Sequence, residues 1–118
     1  MSFYESKTVI SKTYIEGHSI LITMKFETTV KFCDADSGVM IDYYGKEKMF
    51  RLINVRTPEK GQPGYQKAKK VITGMVGRYN GAVTVEANAG MDYYHRILVL
   101  MSNPDGCLNA RMIQKGYC

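Results

Sequence analysis

Ala68, Val71, Ile72, Met75, Val76 and Tyr79 recur at i, i+3, i+4, i+7, i+8 and i+11, the apolar stripe of an amphipathic helix. Lys67, Lys69, Lys70 and Arg78 fall on its other faces and read as a solvated surface. Asn80-Gly81 supplies the stop. No other stretch has so clear a helical period, and a lone amphipathic helix must bury its stripe against something of a different kind. What flanks it is strand. KTVISKTYI and HSILITMKF alternate and are rich in β-branched residues, with Glu16-Gly17 as the turn between them. FETTVKFC repeats the pattern and runs into DADSG, a turn of acids and small residues. VMIDYY and EKMFRLINV read as a hairpin with Gly45-Lys46 at its tip. The loop RTPEKGQPG leads into the helix.

Beyond the helix, AVTVEA reads as a short strand, ANAGMD as a turn and YYHRILVLM as another strand; SNPDG turns the chain into a second, shorter helix, LNARMIQKG, ending at Gly116. The order predicts an α+β fold: a five-stranded OB-type β-barrel with a helix between strands 3 and 4 and a C-terminal helix, plus an extra N-terminal β-hairpin. Residues 1–25 are expected to form the β extension and residues 26–118 the barrel domain. At 118 residues, 45% of them hydrophobic, the chain can bury a core without disulfides or metals. Its three cysteines, Cys33, Cys107 and Cys118, lack CxxC spacing, which argues against a zinc site or disulfide framework and for a reduced, cytoplasmic setting. The N-terminus has no basic region followed by an apolar run, so no secretory signal is expected. No stretch approaches the ~20 apolar residues of a membrane span. A net charge of +5 fits a polyanionic partner.

Chemistry concentrates around RLINVRTPE, whose charges are Arg51, Arg56 and Glu59. Attack on a phosphodiester needs a positioned water and neutralisation of charge building on the phosphate oxygens. A guanidinium suits the second task through two parallel hydrogen bonds, and a carboxylate within reach of water suits the first. Singly, each of these residues also reads as a surface charge, an ion-pair partner or a cap. Asp34 and Asp36 straddle a turn, where Asp bonds its own backbone, but paired carboxylates are also ligands for hard cations. Tyr43, Tyr44, Tyr65, Tyr93 and Tyr94 are candidates for stacking on bases or for cross-strand packing.

Several of these segments together resemble the staphylococcal nuclease-like family. Asp34-Ala35-Asp36-Ser37 is similar to its DGDT turn, FRLINVRTPE to its strand ending in D-x-PE, Asp92-Tyr93-Tyr94-His95-Arg96 to D-x-YGR, and LNARMIQKGY to its closing helix. The resemblance runs from about residue 26 to the C-terminus. It implies phosphate contact by Arg51 and Arg96 and action on the attacking water by Glu59. It implies metal binding by Asp36 and by the Thr57 carbonyl, and Asp34, as the other carboxylate of the turn, is a further candidate ligand. The family's second metal aspartate falls on Arg56, so Ca2+ or another divalent cation is expected to be bound weakly or not at all. In one reading the metal is still held by Asp36, Asp34 and Thr57; in another Arg56 takes its place and pairs with Asp36, and Arg51, Arg56, Arg96, Tyr93 and Tyr94 are expected to contact nucleic acid.

His95 stands where the family has glycine and is a candidate acid or base. Ser37-Gly38 departs from the family's Thr-Val by a one-residue insertion. The resemblance thus implies a phosphodiester hydrolase of the endonuclease type that holds DNA or RNA by its backbone, without base specificity. The alternative is an inactive nucleic-acid-binding or protein-binding module on the same fold. The strands ahead of residue 26 have no counterpart in the resemblance. They are expected to cover barrel surface, to pair two copies into a homodimer, or to hold a protein partner.

Overall fold

The computed structural model describes the backbone of residues 9–15, 19–91 and 95–118, and the side chains of residues 24–87 and 95–118. Among the described residues the strands are β1 (Val9–Ile15), β2 (Ser19–Asp34), β3 (Ser37–Ile41), β4 (Glu47–Leu52), β5 (Ala82–Met91), β6 (Ile97–Asn103) and the short β7 (Gly106–Cys107). Helix α1 (Tyr65–Gly77) lies between β4 and β5, and α2 (Leu108–Gln114) follows β7. Strands β2, β3, β4, β6 and β5 close on themselves, because β2 pairs with both β3 and β5. All pairs in this ring are antiparallel except β4 with β6. The result is a closed five-stranded mixed barrel with two helices, and β1 lies outside the ring on β2.

The sixteen residues of β2 make this closure possible. Its early part pairs with β1 from Ser19 to Lys25, its middle with β5 from Thr23 to Thr29, and its end with β3 from Val30 to Asp34. A bulge between Phe32 and Asp34 lets the strand curl. Gly38 sits against it so closely that a Cβ there would lie 2.1 Å from the Lys31 carbonyl oxygen, which gives a physical reason for glycine at the inserted position.

Inside the ring, Phe26, Phe32, Met40, Phe50, Leu52, Val85, Val99 and Met101 are buried, with Phe32 and Phe50 edge to face at 5.1 Å. Helix α1 caps this core with Ala68, Ile72, Met75 and Val76, the stripe read from the sequence, and α2 adds Leu108 and Met112. Tyr79, at the end of the stripe, lies past the last helical turn and hydrogen-bonds Asp105. The three cysteines are free. Among the described residues no helix is long and apolar enough to cross a membrane.

Two expectations need correction. The ANAGMD stretch is not a turn as far as Met91: β5 continues to that residue, with Asn88 opposite Thr23 and Met91 opposite Ile97. A register shift between Ala87 and Met91 absorbs the turn-forming composition, so pairing overrides local preference. Conversely, the strand through RLINV ends at Leu52. Asn54 adopts a left-handed conformation (φ 63°), which breaks the ladder and turns the chain toward Arg56 and Glu59. The expected turn at Glu16-Gly17 lies outside the described residues.

Candidate functional site

Where β2 turns into β3 and β4 turns into the loop before α1, an open cleft of about 700 Å3 forms. Asp34, Asp36, Met49, Arg51, Arg56, Thr57, Pro58, Glu59, Lys60 and Arg96 line it. Residues from four separate segments thereby converge. Four cations face three carboxylates, so the cleft as a whole favours an anion.

The backbone sets this convergence. Leu52 N–H donates to the Asp36 carbonyl at 2.8 Å, tying the β2–β3 turn to the end of β4. Ile53 N–H donates to the Val99 carbonyl at 3.0 Å, which holds the following turn against β6. Asn109, buried on α2, completes the clamp: its Oδ1 accepts from Met101 N–H at 3.0 Å, and its Nδ2 donates to the Ile53 and Val99 carbonyls, each at 3.0 Å. Further along, Arg56 N–H donates to the Tyr117 carbonyl at 3.2 Å. Glu59 and Gln62 bond reciprocally, Glu59 N–H to Gln62 Oε1 and Gln62 N–H to the Glu59 carbonyl, both at 2.9 Å. That exchange fixes the Glu59 backbone on the rim and leaves its side chain exposed.

Arg51 is half-buried on β4. Its Nη2 donates to the Val55 carbonyl at 3.1 Å and lies 3.8 Å from Asp36 Oδ2. This overturns one expectation: Asp36 pairs with Arg51, and no ion pair of Arg56 is found among the described residues. Arg51 leads out of the barrel wall beside Asp36, whereas Arg56 sits past the turn at Asn54 and is exposed. Arg96, just before β6, reaches the same cleft.

Asp34 is held from two sides. The Tyr65 hydroxyl donates to its Oδ1 at 2.7 Å, and Ser37 Oγ lies 3.5 Å from Oδ2. The neighbouring carboxylate and the burial of the ring push the Tyr65 phenol above its ordinary ionisation range. Tyr65 is therefore a buried tether, not an aromatic surface for bases. The hydroxyl of Tyr79 is likewise shifted up by its bond to Asp105.

A calcium ion takes six to eight oxygens, from carboxylates, carbonyls and water. Here Asp34 accepts from Tyr65, Asp36 lies beside Arg51, and Arg56 and Lys60 add positive charge. Among the described residues no group of three or more His, Cys, Asp or Glu side chains stands ready to hold a metal. The residues present do not fit such a cation.

His95 is exposed and outside the cleft lining, in a left-handed conformation (φ 60°) that suits the glycine of the resemblance better than a histidine. Asp92, Tyr93 and Tyr94 lie outside the described residues. Tyr43 and Tyr44 stack edge to face at 4.9 Å on the β3–β4 turn, away from the cleft lining. Sequence reasoning missed Lys60 and Met49 as lining residues and Asn109 as the clamp. A lone amide in an otherwise apolar helix face was the available signal for the last.

Among known proteins, the model of the staphylococcal nuclease homologue family matches residues 49–118, more than half of the chain. The match takes in Arg51, Arg56, Thr57, Glu59 and Arg96 and begins after the Asp34–Asp36 turn. No curated protein matches the chain.

Proposed function

The chain belongs to the staphylococcal nuclease homologue family, and from that premise we propose that its cleft seats a backbone phosphodiester of DNA or RNA and hydrolyses it. The observation that carries this reading is the convergence of Arg51, Arg96 and Glu59, with Arg56 and Lys60, on one open cleft. The guanidinium groups of Arg51 and Arg96 receive the non-bridging phosphate oxygens and neutralise their charge as the transition state forms. Glu59 takes a proton from a water molecule. The water oxygen forms the new bond to phosphorus while the bond to the leaving oxygen breaks, and that oxygen takes a proton from solvent. Arg56 stands where the family places a ligand aspartate and supplies positive charge in its stead. Contact is with the backbone, so no base preference is expected.

The test is incubation of the protein with labelled single- and double-stranded DNA and RNA, in calcium and in EDTA. Cleavage by the wild type, reduced about 100-fold or more by Glu59→Gln, is the expected result. A second reading, a module that binds nucleic acid without cutting it, is favoured by the engaged state of both aspartates and by the cation at position 56. Salt-sensitive binding with no cleavage in any condition would select it. Neither binding nor cleavage would leave the protein-binding role.

A further inference from the structure

Asp34 lines the cleft, yet its carboxylate is already engaged by a residue of α1. Tyr65 is the first residue of α1 and only 7% exposed. Gly64, in a left-handed conformation (φ 86°), starts the helix, and Tyr65 N–H donates to the Gln62 carbonyl at 3.2 Å. The packed ring therefore delivers its hydroxyl to one place, 2.7 Å from Asp34 Oδ1 and 3.4 Å from the Cys33 carbonyl. The other carboxylate oxygen faces the buried Ser37 at 3.5 Å.

We propose that Tyr65 engages Asp34 at the cleft wall and, together with Arg56, makes this a phosphate site that takes no calcium ion. Of the three carboxylates around the cleft, Asp34 is tethered to α1 and Asp36 lies 3.8 Å from Arg51. Glu59, exposed on the rim, makes no ion pair among the described residues, and one unengaged carboxylate leaves a calcium shell of six to eight oxygens short of charge. A cation arriving there would share Asp34 with the Tyr65 bond and sit among Arg51, Arg56, Lys60 and Arg96. A phosphate meets the same four cations as partners. Tyr65 is thus a positioning residue: it acts on ligand choice through Asp34 and touches no substrate. The phosphate half of this inference rests on the reading of the cleft given above; the metal half stands on the geometry alone.

Calorimetric titration with calcium chloride tests the metal half directly. The wild type should give no binding heat at millimolar calcium and Arg56→Asp only weak binding. Arg56→Asp with Tyr65→Phe should bind at least tenfold more tightly than Arg56→Asp alone. Calcium binding by the wild type that Asp34→Asn removes would overturn the proposal, as would a double variant no tighter than Arg56→Asp. Should Tyr65→Phe fail to fold, ultraviolet titration of the wild type and Asp34→Asn decides the point. The neutral amide should return one tyrosine to the ordinary phenol range, and unchanged titration would overturn the tether. For the phosphate half, a labelled single-stranded oligonucleotide should bind the wild type equally in EDTA and in calcium. Binding that requires calcium contradicts the inference; absence of binding in both contradicts the reading of the cleft and leaves the calcium titration to judge the rest.

Discussion

A phenol that donates to a carboxylate loses that bond when it ionises. Tyr65 donates to Asp34 and Tyr79 to Asp105, and in both the folded pKa lies above the ordinary 10.0. A pKa raised on folding contributes stability that is fully present below the unfolded value and lost as pH rises through the folded one. Stability to urea should therefore hold up to about pH 10 and fall beyond it. Tyr65→Phe should show a smaller fall over the same range; an identical profile would mean that the tether adds nothing to folding. At this scale the sequence was least legible. Tyr65 read as one aromatic among five, because nothing local announces that Asp34, far away in the chain, ends up beside its hydroxyl. The pairing of Asp36 with Arg51 depends on the β3–β4 register, which sets Ser37 opposite Arg51 and which the hairpin's turn residues alone do not specify.

Elements were easier to read than their ends. The stripe on α1, the hairpin around Gly45 and the helix before Gly116 follow from periodicity and turn chemistry. Both helices and the five-stranded ring stand where the pattern predicts them. The errors lie where pairing decides, as in the extension of β5 to Met91. Two substitutions probe what holds the elements around the cleft. Asn109→Ala removes three hydrogen bonds from a buried position and leaves the Met101 N–H without its acceptor. It should cost about 2–4 kcal/mol by urea denaturation, with the Leu52–Thr57 segment losing amide protection first. Gly38→Ala would bring a methyl group against the Lys31 carbonyl at the β2 bulge. A cost of about 3 kcal/mol or more is expected, since backbone and not a flexible side chain must move. A loss within about 0.5 kcal/mol of zero would show that the bulge is not fixed by this contact.

The described residues form a closed five-stranded barrel with two helices, and β1 lies outside the ring. Because the ring closes through β2, β3, β4, β6 and β5, removal of residues 1–18 should leave a barrel that unfolds cooperatively, as read by circular dichroism. Sedimentation of the two forms tests the pairing of copies through the N-terminal strands. A dimer that becomes a monomer on deletion supports it; a monomer in both forms removes it. At this scale too, Arg96 joins Arg51, Arg56 and Lys60 in one cleft of a chain carrying a net charge of +5. The central claim is that this cleft holds a backbone phosphate. Its most direct test is the salt dependence of binding to a labelled single-stranded oligonucleotide, followed by fluorescence anisotropy for the wild type and Arg51→Ala. The affinity of the wild type should fall linearly with salt on logarithmic axes, and Arg51→Ala should weaken binding and lower the slope by about 0.7, the share of one phosphate contact. A slope unchanged by Arg51→Ala, or binding indifferent to salt, would contradict the assignment.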